Sequence, residues 1–482
     1  MVVTIVVLLI LAGITISLVF SENGIIAKAQ EAAEKTNQSV ANEQEEMNKV
    51  ADYMSNMVNG TSGGSTTPDN PASLPSDGSY SEKKGVNTPN LGTGMTPIKW
   101  NGSSWVETTG DDEEWYDYLS KKWANAVVGG NFNEDGTLNQ SSNYSMFVWI
   151  PRYAYSITSG YHSNNTGTIE IEFMKGTSEE GATGKSITDY ATATVNAETT
   201  NKFVDEKYVI HPAFNYGETV SGIWVAKFEA SPEGATTDVA NSEYNGTDKK
   251  LQVKPRVSSW RNITISNMYD VCKSYNPTLN SHLMKNDEWG AVAYLSKSKY
   301  GKETEEVYIN NSSSFITGSA GNIAAAGADT GTTNDYTDSQ GVKASTTGNV
   351  YGVYDMSGGA WECVAAYVNN GDGNLTNYGS SLISGETKMK NVYSKADEDN
   401  NTNNYHENSE KYGDAIYETS MEGDNSNKSW YGDFSRYPES NGPFFIRGGC
   451  FNENISAGIF YFNNSNGLNG SNFSFRPVLI AH

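Results

Sequence analysis

The residues able to do covalent or metal chemistry are few and scattered. There are three cysteines, Cys272, Cys363 and Cys450, and five histidines, none of them in a His-x-x-x-His pair. Such spacing builds neither a disulfide framework nor a Cys-rich zinc module. Gly181-Ala-Thr-Gly-Lys-Ser186 ends like a phosphate loop, but Glu179 stands where the first Gly is needed. Asn131-Phe-Asn-Glu-Asp-Gly136 opens like a calcium loop, but its twelfth position is Ser142 rather than Glu, which makes it a turn. Asn369-Asn-Gly-Asp-Gly373 can offer oxygen ligands to a structural Ca²⁺. No other metal ligands are identified, and no cofactor is called for.

The chemistry that does concentrate is that of recognition. Residues 450–475 read CFNENISAGIFYFNNSNGLNGSNFSF, with seven Asn, no Lys, Gln, Met or Trp, and one acidic residue, Glu453. Asn is encoded by AA followed by a pyrimidine. Randomising both adenines yields Phe, Leu, Ile, Ser, Tyr, Cys, Gly, His, Asp and others, but never Lys, Gln, Met, Trp or Glu. The window fits that alphabet except at Glu453. Short polar and aromatic side chains of this kind suit an adaptable binding surface. The candidate ligand-binding, diversified positions are Cys450, Phe451, Asn452, Asn454, Tyr461, Asn463, Asn464, Ser465, Leu468, Asn469, Ser471, Asn472 and Phe473. Ala457, Gly458 and Phe460 read as scaffold, with Gly458, Gly467 and Gly470 at turns.

The elements that must position this window follow from composition. Of 482 residues, 52 are Asn and 29 are Tyr, and 33 basic against 57 acidic residues leave a net charge of −24. That balance argues against nucleic acid as a partner, because phosphate binding needs a basic face. Met1–Phe20 carry no charge. As a helix, 20 residues span about 30 Å, enough for a bilayer core. Ser21-Glu22-Asn23-Gly24 interrupts the run, where the helix bends or a second one starts, and residues 25–58 follow as a polar helix with one apolar stripe, Val40, Met47, Val50, Met54 and Met57. Residues 59–94 are Gly, Ser, Thr, Pro and Asn without apolar period and read as a flexible linker. Beyond them, short apolar runs alternate with polar loops, which predicts an α+β domain of short strands and long loops. Strands are expected at Met146–Ile150, Gly222–Phe228 and Phe444–Arg447, one helix at Trp289–Leu295, and a long exposed excursion over 395–430.

Two resemblances refine this reading. Residues 1–58 resemble the N-terminal helix of type IV pilins, an uncharged run with a Gly near its middle followed by an amphipathic helix. The family's processing Gly and Glu are not matched, so filament self-assembly stays open while membrane attachment through 1–20 is expected. Residues 205–482 resemble the formylglycine-generating enzyme (sulfatase-modifying factor) family, a version of the C-type-lectin fold. The carriers are Ile223-Trp-Val-Ala-Lys-Phe-Glu-Ala-Ser231, His282-Leu-Met-Lys-Asn-Asp-Glu-Trp289, Asn349-Val-Tyr-Gly-Val-Tyr-Asp-Met-Ser-Gly-Gly-Ala-Trp-Glu362, and Arg447-Gly-Gly-Cys-Phe451 closed by Phe475-Arg-Pro-Val478. Residues 95–204 look like an elaboration of the same domain.

The motifs also read structurally. Trp224, Trp289 and Trp361 are expected in the core, Gly358-Gly359 and Gly448-Gly449 at positive φ, and Arg447 and Arg476 paired with carboxylates such as Asp355 or Glu362. The family's catalytic cysteine pair falls on Glu453 and Gly458, which argues against an enzyme. The Arg-Gly-Gly start, Asn-rich body and Phe-Arg close also resemble the variable region of proteins targeted by diversity-generating retroelements. What the resemblances imply is a bacterial cell-surface protein, anchored by membrane or pilus, binding an unknown protein or glycan. A minor pilin or adhesin with a fixed ligand is the alternative, and a formylglycine-generating oxidoreductase is less favoured.

Overall fold

A strand that is apolar on both faces has to lie between two layers, and Tyr144–Pro151 is buried along its whole length. In the computed structural model, which describes residues 77–188, 207–328 and 333–481, this strand lies at the centre of a seven-stranded antiparallel sheet. The order is His282–Leu283, Pro477–Leu479, Gly222–Ala226, Tyr144–Pro151, Asn125–Gly129, Met95–Trp100, Trp105–Glu107. Trp149 pairs with Trp224 across the central ladder. A second sheet runs Asn391–Tyr393, Trp361–Val368, Phe444–Arg447, Phe462–Ser465, Ser435–Arg436, Asp424–Ser426, and Phe473–Ser474 pairs in parallel with the start of Trp361–Val368. Thr168–Phe173, Tyr153–Ser159, Tyr208–Ile210 and Ile187–Thr188 form a smaller sheet. The result is mixed α/β, with short strands.

Helices fill the gaps between sheets. The one expected at Trp289–Leu295 is Asn286–Ser296, buried all round. Lys285 N–H donates to the Glu288 carboxylate at 2.8 Å, which closes its first turn. Three further helices escaped the sequence reading: Ile265–Tyr275, Gly373–Ser384 and Asn401–Glu407. Each is capped by a short polar side chain, of Thr264, Asp372 and Asn400 respectively. Ile265, Met268, Tyr269, Val271 and Cys272 face inward from the first of them.

Two sequence expectations need correction. Residues 77–94, assigned to the linker, are folded. Tyr80–Ser81 pairs with Val86–Asn87, and the Asn87 side chain donates to Ser221 O at 2.8 Å. The indole of Trp224 donates to Asn90 O at 2.7 Å, so this polar strip supplies acceptors to core tryptophans. The excursion over 395–430 is packed in. Asn404, Tyr405, Glu418, Ser429 and Trp430 are all buried. Asn404 accepts from Ala396 N–H and donates to Pro438 O, and Glu418 accepts from the hydroxyls of Tyr155 and Tyr294. Polar residues here pair internally with backbone and hydroxyl groups, so composition alone misplaces them.

Among the described residues no helix is long and apolar enough to cross a membrane. The expected N-terminal helix, its membrane segment 1–20, and linker residues 59–76 lie outside the described residues.

A buried ion pair joins the start of the strand Trp361–Val368 to the residue before the strand Pro477–Leu479. Arg476 Nε donates to Glu362 Oε2 at 2.6 Å, Nη2 donates to Oε1, and the same guanidinium reaches Ala226 O and Tyr354 O at 3.1 Å. All of it is buried. Removing one partner strands a buried charge, so Arg476→Met is expected to cost about 3–5 kcal/mol, read as a lowered urea midpoint. The double variant Arg476→Met/Glu362→Leu is expected to recover part of that loss.

Candidate functional site

The window between Phe444–Arg447 and Pro477–Leu479 links the second sheet to the first. A buried arginine stands at each end. Arg447 donates to Asp414 O at 3.2 Å and Ala415 O at 3.0 Å, so its partners are carbonyls where carboxylates were expected, while Arg476 takes Glu362 as described. Burial lowers the Arg447 pKa to about 10. Both guanidiniums approach the ring of Trp289, Arg447 at 5.5 Å and Arg476 at 5.9 Å from its centroid. Its indole N–H donates to Ile459 O at 2.7 Å, in the middle of the window.

The window's main chain is held by groups outside it. Phe434 N–H donates to Ser456 O at 2.9 Å, Ile265 N–H to Gly467 O at 3.1 Å, Asn262 N–H to Gly470 O at 2.9 Å, and Trp361 N–H to Asn472 O at 2.8 Å. Buried Arg261 donates to Ser471 O at 2.7 Å. These bonds end on carbonyls, so they do not depend on which side chain the window carries. Two glycines enforce the path. A Cβ at Gly458 would lie 2.2 Å from the Asp433 carboxylate, which accepts from Phe460 N–H, and Gly467, at φ +82°, backs onto the Phe444 ring.

Against that pinned backbone, the thirteen sequence candidates divide. Asn452, Asn454, Leu468 and Ser471 are exposed, and Phe451, Asn463, Asn464, Asn469, Asn472 and Phe473 are half-buried. Cys450, Tyr461 and Ser465 are buried and do not form part of the surface. Cys450 packs with Phe315 and Ala360, and burial pushes its thiol up to about 12. Tyr461 lies under Phe434, and Ser465 Oγ accepts from Gly467 N–H. Asn454 is exposed but has φ +52°, a conformation that favours Asn and penalises branched residues.

Sequence reasoning missed four residues that the structure brings to this face. Asn466 and Ile455 are exposed, and Ile455 at 58% is among the most exposed large apolar residues described. Asn466 was legible as one more Asn in the window, and Ile455 fits the same codon alphabet. Trp361 and Phe434 are half-buried at the surface. Trp361 was expected in the core, but it is half-buried, with its ring 5.4 Å from that of Phe473.

Glu453 explains itself structurally. Its Oε2 accepts from Cys450 N–H at 2.7 Å and from the Trp361 indole at 2.9 Å, and Oε1 lies 3.3 Å from the Tyr461 hydroxyl. Burial holds its carboxyl above the usual carboxylate range. The one residue outside the codon alphabet is therefore the one that knots the window's first arm to the sheet.

Among the described residues no group of three His, Cys, Asp or Glu is placed to hold a metal ion. In the segment offered for Ca²⁺, Asp372 caps the helix Gly373–Ser384 by accepting from Asn374 N–H, and Asn370 donates to Asp399.

No protein-family model matches the sequence, and no curated protein matches it. Among solved structures, Treponema denticola variable protein 1 is similar, with 11% identity and a TM-score of 0.28, over 71% of this chain and 97% of that one.

The division between pinned backbone and outward side chains makes a direct prediction. Glu453→Ala leaves the Cys450 and Trp361 donors unpaired and is expected to cost about 2 kcal/mol. Asn452→Ala and Asn469→Ala should stay within about 0.5 kcal/mol of the parent. Urea denaturation of the three variants checks this.

Proposed function

We propose that this chain is a ligand-binding protein whose C-terminal surface is diversified, and that its fold is a C-type-lectin-like variant. The observation that supports this reading is the origin of the window's restraints. Carbonyls of Ser456, Ile459, Gly467, Gly470, Ser471 and Asn472 are gripped by residues outside the window, while ten of the thirteen candidate side chains reach solvent. Substituting those side chains leaves the grip intact, as a surface meant to vary requires. Short amides and aromatic rings give adaptable hydrogen bonds and rigid contact area at small ordering cost.

Display at a bacterial surface, through a pilin-like anchor over 1–20, belongs to the same proposal. So does the absence of catalysis. Glu453 and Gly458, at the places of the family's catalytic cysteines, serve the scaffold through the Trp361 knot and the close approach to Asp433. No cofactor and no nucleic acid enter the proposed role, and the ligand is a protein or a glycan.

The test is deep sequencing of codons 440–482 in a population of the source cells. Substitutions are expected at the solvent-facing positions, Asn452, Asn463, Asn464, Leu468, Asn469, Ser471 and Asn472 foremost. Arg447, Glu453, Gly458, Phe475 and Arg476 should not change. A single invariant window would overturn diversification and leave an adhesin with one fixed ligand.

A further inference from the structure

We infer that Trp361, which lies outside the window, is a fixed aromatic anchor at the centre of the recognition surface, shared by every variant of the window. This rests on the reading of the window as that surface. Both arms of the window meet at Trp361. The first arm supplies Glu453, which accepts the indole N–H at 2.9 Å. The second supplies Phe473, whose ring is 5.4 Å away, and Asn472, whose carbonyl accepts Trp361 N–H at 2.8 Å. Phe451, on the first arm, packs against the same cluster of Phe315, Ala360 and Cys450 as Trp361.

The consequences follow from geometry. The main chain of Trp361 is locked in the sheet, in register with Phe473, and its neighbour Glu362 holds Arg476. The ring therefore has little freedom left to lose on binding, which is the property that makes an anchor efficient. Its one polar atom is already satisfied by Glu453, so what it offers outward is ring face and edge. Binding energy concentrates in such central, rigid aromatics, and Trp is the type most enriched there. The surrounding amides would then choose among ligands that place an apolar or ring-bearing group on Trp361.

The test uses the full chain displayed on bacterial cells in two libraries. Both are randomised at Asn452, Asn454, Asn464, Asn469, Ser471 and Asn472 with codons that replace the two adenines of an Asn codon. One keeps Trp361 and the other carries Trp361→Ser. Both are selected against egg-white lysozyme as the probe. Binders are expected from the Trp361 library. Introducing Trp361→Ser into each should weaken it at least ~10-fold, while Trp361→Phe retains most of the affinity. Equally tight binders from the serine library, or no effect of the exchange, would overturn the anchor and leave the recognition reading standing. No binder from either library, with urea midpoints unchanged, would overturn both. If Trp361→Ser lowers the midpoint, Trp361→Leu takes its place with the same outcomes, because it keeps apolar bulk against Phe473 without a ring.

Discussion

The structure around the window depends on one side chain, the buried Trp289. Its ring lies close to the guanidiniums of both Arg447 (5.5 Å) and Arg476 (5.9 Å), and its indole N–H donates to the carbonyl of Ile459. Two buried cations need compensation, and each finds it differently. Arg476 is neutralised by Glu362, whereas Arg447 spreads its charge over carbonyls of the 414–415 turn. The tryptophan ring adds attraction to both. Because Arg447 opens the window and Arg476 closes it, this arrangement fixes both of its ends and its midpoint at once.

That arrangement keeps the stabilising network away from the window's outward side chains. The buried charges, the tryptophan and the two sheets sit behind the window, and, Glu453 apart, the bonds described from them to it end on main-chain carbonyls and N–H groups. Side chains at Asn452, Asn469 or Ser471 contribute little to that network, and substitutions at such positions ordinarily change stability by about 0.5 kcal/mol or less. By contrast Glu453 and Gly458 sit where the network and the window interlock, and any change there is felt by the fold.

Much of this was legible in the sequence, and the misses have physical causes. The strands within Met146–Ile150, Gly222–Phe228 and Phe444–Arg447 were read from apolar runs that no soluble loop would carry, and the second of them ends at Ala226. Gly358, Gly359, Gly448 and Gly449 all have positive φ, as their pairing suggested. The segment 395–430 was misread because hydropathy counts Asn404 and Glu418 as surface residues. In the fold their polar atoms are paired, and Tyr405 and Trp430 supply the apolar packing. The helix Gly373–Ser384 was missed because its Gly, Asn and Ser residues are weak helix formers, held by the Asp372 cap and by packing. At the site, residue type identified the window but could not tell Cys450, Tyr461 and Ser465, which turn inward, from neighbours that turn outward. One residue along a strand reverses the face.

The restricted alphabet and the pinned backbone also fit each other energetically. Randomising the adenines of an Asn codon excludes Lys, Gln, Met and Glu, whose immobilisation costs up to about 1.5–2 kcal/mol each in rotamer entropy. It also excludes Trp. A surface built from that alphabet therefore orders cheaply but cannot supply its own largest aromatic contact. The scaffold holds one at the surface in Trp361, restrained by Glu453, the single window residue that the alphabet does not contain. On the proposed reading, a fixed ring held by a fixed carboxylate, with small amides varying around it, divides the work of binding between parts that change and parts that do not.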